Sequence, residues 1–503
     1  MAKALMVQGT GSGAGKSLIA AALCRIFRDR GINVAPFKAQ NMALNSAITI
    51  EGGEIGRAQV LQAEAAGVDP TVDMNPILLK ASGEMGSQVV IQGKVHSCMK
   101  AQEYYAFKQE AWKAVKASWR RLSRKHDLIV MEGAGSPAEI NLMDVDIVNM
   151  AAARHAKAPV LLVGDIDKGG VFASLYGTVK LLGRDSKLIK GFIINKFRGD
   201  LAILAPGLDM IRLKTGTPVL GVLPYIKDIE LPEEDGLALQ RLSTEYTAHQ
   251  AEIRIVVVRL RYISNFTDFD PFFHEPDVEI LFSRNPADIE NADLVIVPGS
   301  KNTVKDLLDL RERGLDGSIR RAYAKGAQVI GMCGGYQMLG GKILDPEGVE
   351  SPHREMKGIG LLNIETVFGK EKITCRSEAK VAHASWLAEY GVPRESFLKG
   401  YEIHMGESSG ELGLFRVKRH SGPRRSTLDG SRNGNCWGTY LHGIFDNDPF
   451  RRGILNDLRR RKGLSPLDSG VKYHELKEQA LDRLAATVRD NLDMKFIEGL
   501  IGL

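Results

Sequence analysis

At 503 residues the chain is too long for a single hydrophobic core, and its length predicts two domains with an appended helical piece. Hydrophobic residues make up 44% and charged residues 25% of it, as in an ordinary soluble globular protein, and a net charge of +6 suits an anionic small substrate while giving no nucleic-acid signal. The five cysteines show no paired C-x-x-C spacing, and neither a signal peptide nor a membrane-length apolar stretch is evident, so we expect a cytoplasmic protein without structural zinc or a membrane partner.

Residues 5–17 (LMVQGTGSGAGKS) are an apolar run, a glycine-rich turn and the start of a helix. Backbone N–H groups of such a turn converge on phosphate oxygens, the lysine reaches a terminal phosphate, and the serine hydroxyl contacts magnesium. The pattern predicts a nucleotide site, rather than a chance glycine-rich hairpin, made by Thr10, Gly11, Gly13, Gly15, Lys16 and Ser17. Because Thr10 replaces the first glycine of the strict Walker spacing, the loop resembles that of the dethiobiotin synthetase group of P-loop ligases.

A second strand follows the first helix. Apolar residues after Ser17 recur at helical spacing and residues 33–38 then have a strand pattern, which predicts a strand–helix–strand unit of a parallel sheet. Lys38 ends this strand, at the carboxyl edge where α/β sheets bind their ligands. It is therefore a candidate for a phosphate or carboxylate contact, the alternative being an exposed loop lysine.

Two later strands of the first half also end in polar side chains. Residues 127–136 (DLIVMEGAGS) predict an apolar strand closed by Glu132 and a glycine turn. A carboxylate at that edge predicts a magnesium contact beside Ser17, the alternative being a glutamate at the border of the core. Asn195 ends a further strand, where the P-loop class that the loop resembles commonly reads adenine; on spacing alone a capping asparagine fits nearly as well.

The two halves are separated by a stretch without strand character. Residues 232–252 are polar and acidic, and we place the domain boundary there. Strand patterns resume near residues 253–258, 279–282, 294–297 and 328–331, which again predicts a parallel α/β sheet. The tail from residue 451 is helical with one apolar face, and its basic run at residues 459–462 (RRRK) is expected to be solvated.

Residues 329–339 (VIGMCGGYQML) carry the chemistry of the second half. A strand ends, Cys333 stands between small residues, and a helix begins, which is the arrangement of a nucleophile elbow. A helix N-terminus favours the thiolate, and the N–H of Gly334 is placed to serve an oxyanion hole. The alternative, a buried structural cysteine, does not explain the glycines that flank it.

This elbow resembles that of the class I, triad-type glutamine amidotransferases. The resemblance assigns a second oxyanion loop to residues 297–303 (VPGSKNT), with Gly299 as its donor. It also implies a histidine base, and His442 matches the position in that family better than the alternatives His404 and His420.

One position departs from the class I pattern. Glutamate normally stands two residues after the histidine, whereas this chain has Ile444. The cobyrinate-type branch of the class also lacks this glutamate, so the resemblance implies a dyad of Cys333 and His442 whose imidazole is oriented by another group. Glu402 is one candidate for that group.

Several strings together resemble the cobyric acid synthase family over nearly the whole chain. They are the variant P-loop, the Cys333 elbow and residues 40–46 (QNMALNS), 56–59 (GRAQ), 75–80 (NPILLK), 87–90 (SQVV) and 263–271 (ISNFTDFDP). The resemblance implies an α/β fold of two domains. It places a P-loop, dethiobiotin-synthetase-like parallel sheet in residues 1–235, a class I glutamine amidotransferase-like domain in residues 252–450, and a helical tail in residues 451–503.

For function, the resemblance implies ATP, Mg²⁺ and glutamine, with amidation of carboxylates b, d, e and g of adenosylcobyrinic acid a,c-diamide. Three rivals remain: a cobyrinic acid a,c-diamide synthase, a partitioning-type P-loop ATPase switch, and a ligase that uses free ammonia. The string at residues 40–46 favours amidation of the a,c-diamide over the diamide synthase. Gly11 stands where partitioning-type switches usually carry a lysine, which disfavours that rival. The oligomeric state, the route of ammonia and the order of amidation stay open.

Overall fold

The computed structural model describes residues 2–43, 45–81, 86–226, 231, 251–382, 397–420 and 426–503. Most of the expected domain boundary, residues 232–250, lies outside these ranges. Within them, no helix is both long enough and apolar enough to span a bilayer.

The first half is a series of strands and helices. In chain order its elements are β1 (Lys3–Gly9), α1 (Lys16–Asp29), β2 (Val34–Phe37), β3 (Gln40–Met42), β4 (Ser46–Ile48), β5 (Glu54–Gly56), α2 (Arg57–Ala66), β6 (Ile77–Ala81), β7 (Ser87–Ile91), β8 (Lys94–Met99), α3 (Ala101–Lys125), β9 (Leu128–Glu132), α4 (Met150–Ala156), β10 (Val160–Asp165), α5 (Val171–Leu181), β11 (Ile189–Phe197), α6 (Leu201–Thr215) and β12 (Val219–Pro224).

Six of these strands form one parallel sheet in the order β12-β11-β10-β1-β9-β2. The strands β9 and β10 are buried along their whole length, because helices cover both faces of the sheet, and this explains their continuous apolar sequences. The register pairs Val7 with Glu132 and Gly9 with Val163. The P-loop and Glu132 therefore share the carboxyl edge of the sheet, and the predicted parallel architecture is confirmed.

Residues 40–99 add a separate layer to this half. The strands β3, β6, β7 and β8 form a small sheet, and β4 pairs antiparallel with β5. The described parts of the polar strings, residues 40–43, 45–46, 56–59, 75–80 and 87–90, all lie in this region, which also contacts the second half.

The second half contains more strands than the first. Its elements and those of the tail are β13 (Ile253–Val258), β14 (Ile263–Ser264), β15 (Val278–Ser283), α7 (Pro286–Glu290), β16 (Leu294–Val297), β17 (Gly299–Ser300), α8 (Thr303–Glu312), α9 (Leu315–Ala324), β18 (Gln328–Met332), α10 (Gly334–Leu339), β19 (Lys342–Leu344), β20 (Glu355–Lys357), β21 (Ile364–Val381), β22 (Leu398–Gly410), β23 (Phe415–Arg419), β24 (Ser426–Asp429), β25 (Ser431–Asn433), β26 (Cys436–Thr439), β27 (Leu441–His442), α11 (Asp448–Arg461), α12 (Tyr473–Asn491) and α13 (Met494–Ile501).

Two larger sheets organise this half. One runs β15-β13-β16-β18-β26-β25 and is parallel except for its last strand, which confirms the predicted α/β sheet. The other is mixed, runs β20-β19-β21-β22-β27, and is built around the long antiparallel pair of β21 and β22. The sequence patterns did not reveal this second sheet. It matters for the site because β22 pairs with β27, which places Tyr401 opposite His442.

The helix α11 packs on the second half through buried ion pairs. Arg451 Nε donates to Glu275 Oε1 at 2.7 Å, and both side chains are fully buried. Arg459 Nη1 donates to Asp277 Oδ2 at 2.9 Å and is itself 6% exposed. The expectation that the basic run at residues 459–462 forms a solvated face is therefore wrong for Arg459.

The helix α12 returns to the first half and packs against α1. The buried Arg25 guanidinium donates to Glu478 Oε2 at 2.6 Å and to Asp482 Oδ1 at 2.8 Å. Beyond α12, Asp493 N donates to Leu220 O at 2.8 Å, beside the edge strand β12. The tail thus ties the end of the second half to the P-loop sheet.

The two halves also meet directly, along the layer of residues 40–56 and the strand β21. Lys372 Nζ donates to Glu54 Oε2 at 2.7 Å, and Thr374 Oγ1 donates to Gly52 O at 2.8 Å. Further along β21, Arg376 Nε donates to the Ile48 carbonyl at 3.0 Å. These contacts form a continuous polar interface between the domains.

Candidate active sites in the two domains

At one position of the glycine-rich loop, Gly15, the backbone conformation and the surrounding atoms leave room only for glycine. Gly15 has a φ of +95°, and a Cβ placed there would lie 2.1 Å from Asn195 Nδ2. The Asn195 amide donates to Ala14 O at 2.9 Å, so it braces the loop rather than capping a helix. Thr10 N donates to Val163 O at 2.9 Å, which fixes the start of the loop to β10. The loop is therefore a preformed cradle at the N-terminus of α1.

Lys16 lies inside this cradle. Its Nζ donates to the carbonyls of Gly11 at 2.8 Å and Gly135 at 3.1 Å, and the residue is 7% exposed. Gly13, which has a φ of +70°, accepts a bond from Lys196 Nζ at 2.6 Å. Lys168 Nζ also donates to a loop carbonyl, that of Ser12, at 3.1 Å. Three ammonium groups thus contact the loop, and their positive charge suits a phosphate ligand.

Glu132 is the centre of a buried polar cluster beside the loop. Its Oε1 accepts hydrogen bonds from Ser17 Oγ at 2.7 Å and Lys38 Nζ at 2.8 Å, and its Oε2 accepts one from Gln62 Nε2 at 2.7 Å. Burial alone would raise the pKa of Glu132. The Lys38 charge and these hydrogen bonds outweigh burial and hold the pKa below its ordinary value.

These oxygen donors fit a magnesium ion. The Ser17 hydroxyl and the ionised Glu132 carboxylate are adjacent, and Mg²⁺ prefers oxygen ligands of this kind supplemented by phosphate oxygens. Lys38 contacts the same carboxylate, so the structure brings the sequence-predicted residues of this site together.

The turn after β18 has the strained geometry of a nucleophile elbow. Cys333 has φ and ψ of 50° and −107°, a region rarely adopted by residues with a side chain. A Cβ at Gly335 would lie 1.9 Å from Val297 O, and one at Gly331 would lie 2.7 Å from Tyr336 Cα. The flanking glycines therefore allow α10 to begin directly against the end of β16, with Cys333 at its N-terminus.

The two expected oxyanion loops converge on this turn. A Cβ built on Gly334 would lie 2.9 Å from Ser300 N, and one on Gly299 would lie 3.5 Å from His442 Cε1. Gly299 therefore lies beside the His442 imidazole, and Gly334 lies beside Ser300, the neighbour of Gly299 in the chain.

His442 is buried next to Cys333 and is held by a carboxylate. Its Nδ1 lies 2.6 Å from Asp268 Oδ2, and Gly443 N donates to Asp268 Oδ1 at 3.1 Å. Burial would lower the pKa of His442, but Asp268 and the neighbouring Cys333 outweigh it and raise the pKa to about 10. The three side chains have the arrangement of a nucleophile, a base and an orienting acid.

The expectation that Glu402 orients the imidazole is wrong. Glu402 accepts two hydrogen bonds from Arg419, at 2.7 and 2.8 Å, and a third from Ser377 Oγ at 2.8 Å. Its position is explained by this ion pair. Asp268, which sequence reasoning did not single out, holds His442 instead.

The other histidines have different surroundings. The His404 ring stacks on Tyr440 with centroids 3.8 Å apart, and its Nδ1 lies 2.9 Å from Gly406 O. His420 Nε2 lies 3.4 Å from Glu378 at the protein surface. His442 differs from both because its Nδ1 is held by the Asp268 carboxylate.

Comparison with known proteins gives the same two parts. Residues 5–238 match the CobQ/CobB/MinD/ParA nucleotide binding domain, and residues 254–450 match the CobB/CobQ-like glutamine amidotransferase domain. A cobyric acid synthase of Thermodesulfovibrio yellowstonii is 50% identical over 503 residues, with 100% of both chains covered. That of Syntrophobacter fumaroxidans is 48% identical over 512 residues, covering 100% of this chain and 99% of its own. That of Clostridium botulinum (strain Loch Maree / Type A3) is 50% identical over 509 residues, with 100% of both chains covered. The chain belongs to the cobyric acid synthase family.

Proposed function

We propose that this chain uses ATP and glutamine to amidate carboxylates b, d, e and g of adenosylcobyrinic acid a,c-diamide, giving adenosylcobyric acid in cobalamin biosynthesis. The observation that carries the proposal is the presence, in one chain, of a cysteine–histidine–aspartate site and a P-loop site joined by a polar interface. The first site releases ammonia and the second activates a carboxylate. The reaction takes place among small molecules, and we propose the cytoplasm as its location.

In the second domain, Cys333 Sγ attacks the side-chain carbonyl carbon of glutamine. The N–H groups of Gly334 and Gly299 donate to the oxygen that becomes negative, and His442 passes the thiol proton to the amide nitrogen. The C–N bond breaks, ammonia leaves, and a thioester remains on Cys333. His442 then takes a proton from water, which hydrolyses the thioester to glutamate. Asp268 keeps the Nδ1–H tautomer through both steps.

In the first domain, a substrate carboxylate oxygen attacks the γ-phosphorus of ATP, ADP leaves, and an acyl phosphate forms. The loop of residues 10–15 holds the phosphates, Lys16 and Lys38 offset the charge that develops on them, and Asn195 contacts adenine. Ser17 and Glu132 would hold Mg²⁺, whose charge offsets that of the phosphates. Ammonia then attacks the acyl carbon, phosphate leaves, and loss of a proton gives the amide.

The proposal is tested by mass spectrometry of the a,c-diamide incubated with ATP, magnesium and glutamine. Each amidation replaces –OH by –NH2 and lowers the mass by about one unit. Wild type should give successive steps down to the fully amidated product. Cys333→Ala should give none with glutamine and all of them with ammonium, whereas Cys98→Ser, at an exposed cysteine, should behave as wild type.

Other results would assign the chain differently. An unchanged a,c-diamide together with amidation of cobyrinic acid would identify the earlier diamide synthase. Full glutamine-dependent activity of Cys333→Ala would favour a ligase that uses free ammonia. ATP hydrolysis without any amide product would favour the switch.

A further inference from the structure

A short segment of the P-loop domain, residues 41–43 together with 45 and 46, contacts the glutaminase site from three directions. Ser46 N donates to Asn265 Oδ1 at 3.1 Å, and Tyr401 OH donates to Ser46 O at 3.2 Å. Lys301, two residues after Gly299, donates through Nζ to Ala43 O at 3.0 Å. The segment therefore contacts a turn, a strand and an oxyanion loop of the second domain.

Two of these contacts reach the imidazole itself. The Tyr401 ring stacks on the His442 ring, with centroids 5.2 Å apart and planes 19° apart. At the edge of the imidazole, Asn265 Nδ2 lies 3.5 Å from His442 Nδ1. Ser46 is 1% exposed and Asn265 is 3% exposed, so water does not compete for these bonds. The main chain of Ser46 thus fixes both side chains that flank His442.

The same segment is connected to the ATP site. At its start, the Asn41 side chain donates to Gln59 Oε1 at 2.9 Å. Gln59 Nε2 in turn donates to Glu132 Oε2 at 3.3 Å. A ligand that reorganises the Glu132 cluster therefore acts on residues bonded to the segment that holds Asn265 and Tyr401.

We propose that Asn265 and Tyr401 are positioning residues that couple the His442 imidazole to Ser46, so that glutamine hydrolysis responds to occupancy of the ATP and carboxylate site. The inference rests on the proposed function. Small displacements of a catalytic base strongly lower its rate, so a modest shift of Ser46 is enough to change hydrolysis. Coupling of this kind limits the loss of glutamine when no activated carboxylate is present to take up ammonia.

The test compares the glutaminase kcat of the full chain with and without ATP, magnesium and the a,c-diamide. In wild type the added substrates should raise kcat by about fivefold or more, the range usual for coupled sites. Tyr401→Phe keeps the stacked ring but removes the bond to Ser46 O, so the ratio of the two rates should fall toward one, and more glutamate should be released per amide formed. Thr374→Val removes a comparable bond across the same interface without touching His442, and should keep the wild-type ratio.

Each alternative result has a distinct meaning. An unstimulated wild type, or equal losses of the basal and stimulated rates in Tyr401→Phe, would overturn the coupling. Amide formation from ammonium reports on the ligase domain separately, so its absence in wild type would count against the proposed function instead. If Tyr401→Phe does not fold, Asn265→Ser gives the same comparison, because the shorter side chain no longer reaches Ser46 N.

Discussion

Asp268 provides the sharpest test of the glutaminase site, because its carboxylate both accepts from His442 Nδ1 and receives a bond from Gly443 N. Asp268→Asn keeps the volume of the side chain but removes its charge. The new amide can also present its NH2 group to Nδ1, which favours the tautomer with the proton on Nε2. That tautomer cannot take the proton of Cys333.

The expected loss of glutaminase rate follows from the burial of Asp268 and His442. Asp268 is 4% exposed and His442 is 1% exposed, so their charge-assisted hydrogen bond contributes about 1.5–3 kcal/mol. Its loss corresponds to a roughly 10- to 100-fold lower rate. Because the wrong tautomer adds to this loss, we expect the glutaminase kcat to fall by about 100-fold.

The assay is glutamate release, with amidation from ammonium as a readout that should not change. Asp270→Asn, in the same short turn, is the matched control and should keep the wild-type kcat. An Asp268→Asn kcat within about twofold of wild type would refute the assigned role.

The same substitution has a defined pH dependence. In the folded chain the pKa of His442 is raised from 6.5 to about 10. Protonation of this ring therefore stabilises the fold fully below its unfolded pKa, and this stabilisation is lost as the pH rises through the folded pKa. Asp268→Asn lowers the folded pKa, so its deficit in melting temperature should be larger at pH 6 than at pH 10. A deficit that does not depend on pH would contradict this account.

Two further predictions concern the P-loop site. Glu132→Gln removes the carboxylate that binds Ser17 and Lys38. ADP release in the presence of the diamide and ammonium should therefore fall by roughly 100-fold or more, while basal glutamate release continues. An unchanged rate of ADP release would show that Glu132 has no part in phosphoryl transfer. Gly15→Ala places a carbon 2.1 Å from Asn195 Nδ2 at a φ of +95°, so thermal denaturation should show a loss of about 2 kcal/mol and titration a weaker affinity for ATP. Gly11→Ala, with no atom within 4 Å of the added carbon, is its control, and equal stability of the two variants would contradict the packing argument.

The parts of the site that sequence reasoning recovered are local. The P-loop and the Cys333 elbow each consist of neighbouring residues whose spacing reflects one turn between a strand and a helix. Glu132 was found because strand ends of a parallel sheet meet at one edge, so its place follows from the order of the strands.

Asp268 could not be found in this way. It lies 174 residues before His442 in the chain, and the two meet only because the 3-10 helix Phe266–His274 places Asp268 beside the end of β27. The string at residues 263–271 contributes to the family resemblance, but nothing in it distinguishes Asp268 from Asp270. Glu402 was the more visible candidate, but the sequence does not reveal that Arg419 pairs with it.

The long strands β21 and β22 were missed for a related reason. The strand β21 carries many charged residues, which makes it look like a surface loop rather than part of a sheet. Several of these charges are satisfied across the domain interface, as Lys372 is by Glu54 and Arg376 by the Ile48 carbonyl. Backbone pairing with β22 and β23 explains the strand, and the domain interface explains several of its charges.

The central claim is that ammonia made at Cys333 becomes the amide nitrogen formed at the P-loop site. It is tested most directly by incubating the chain with ATP, magnesium, the a,c-diamide and glutamine labelled with ¹⁵N at its side-chain amide, without added ammonium. The account predicts a product whose new amides at positions b, d, e and g all carry ¹⁵N. An unchanged diamide, or amides that carry unlabelled nitrogen, would contradict it.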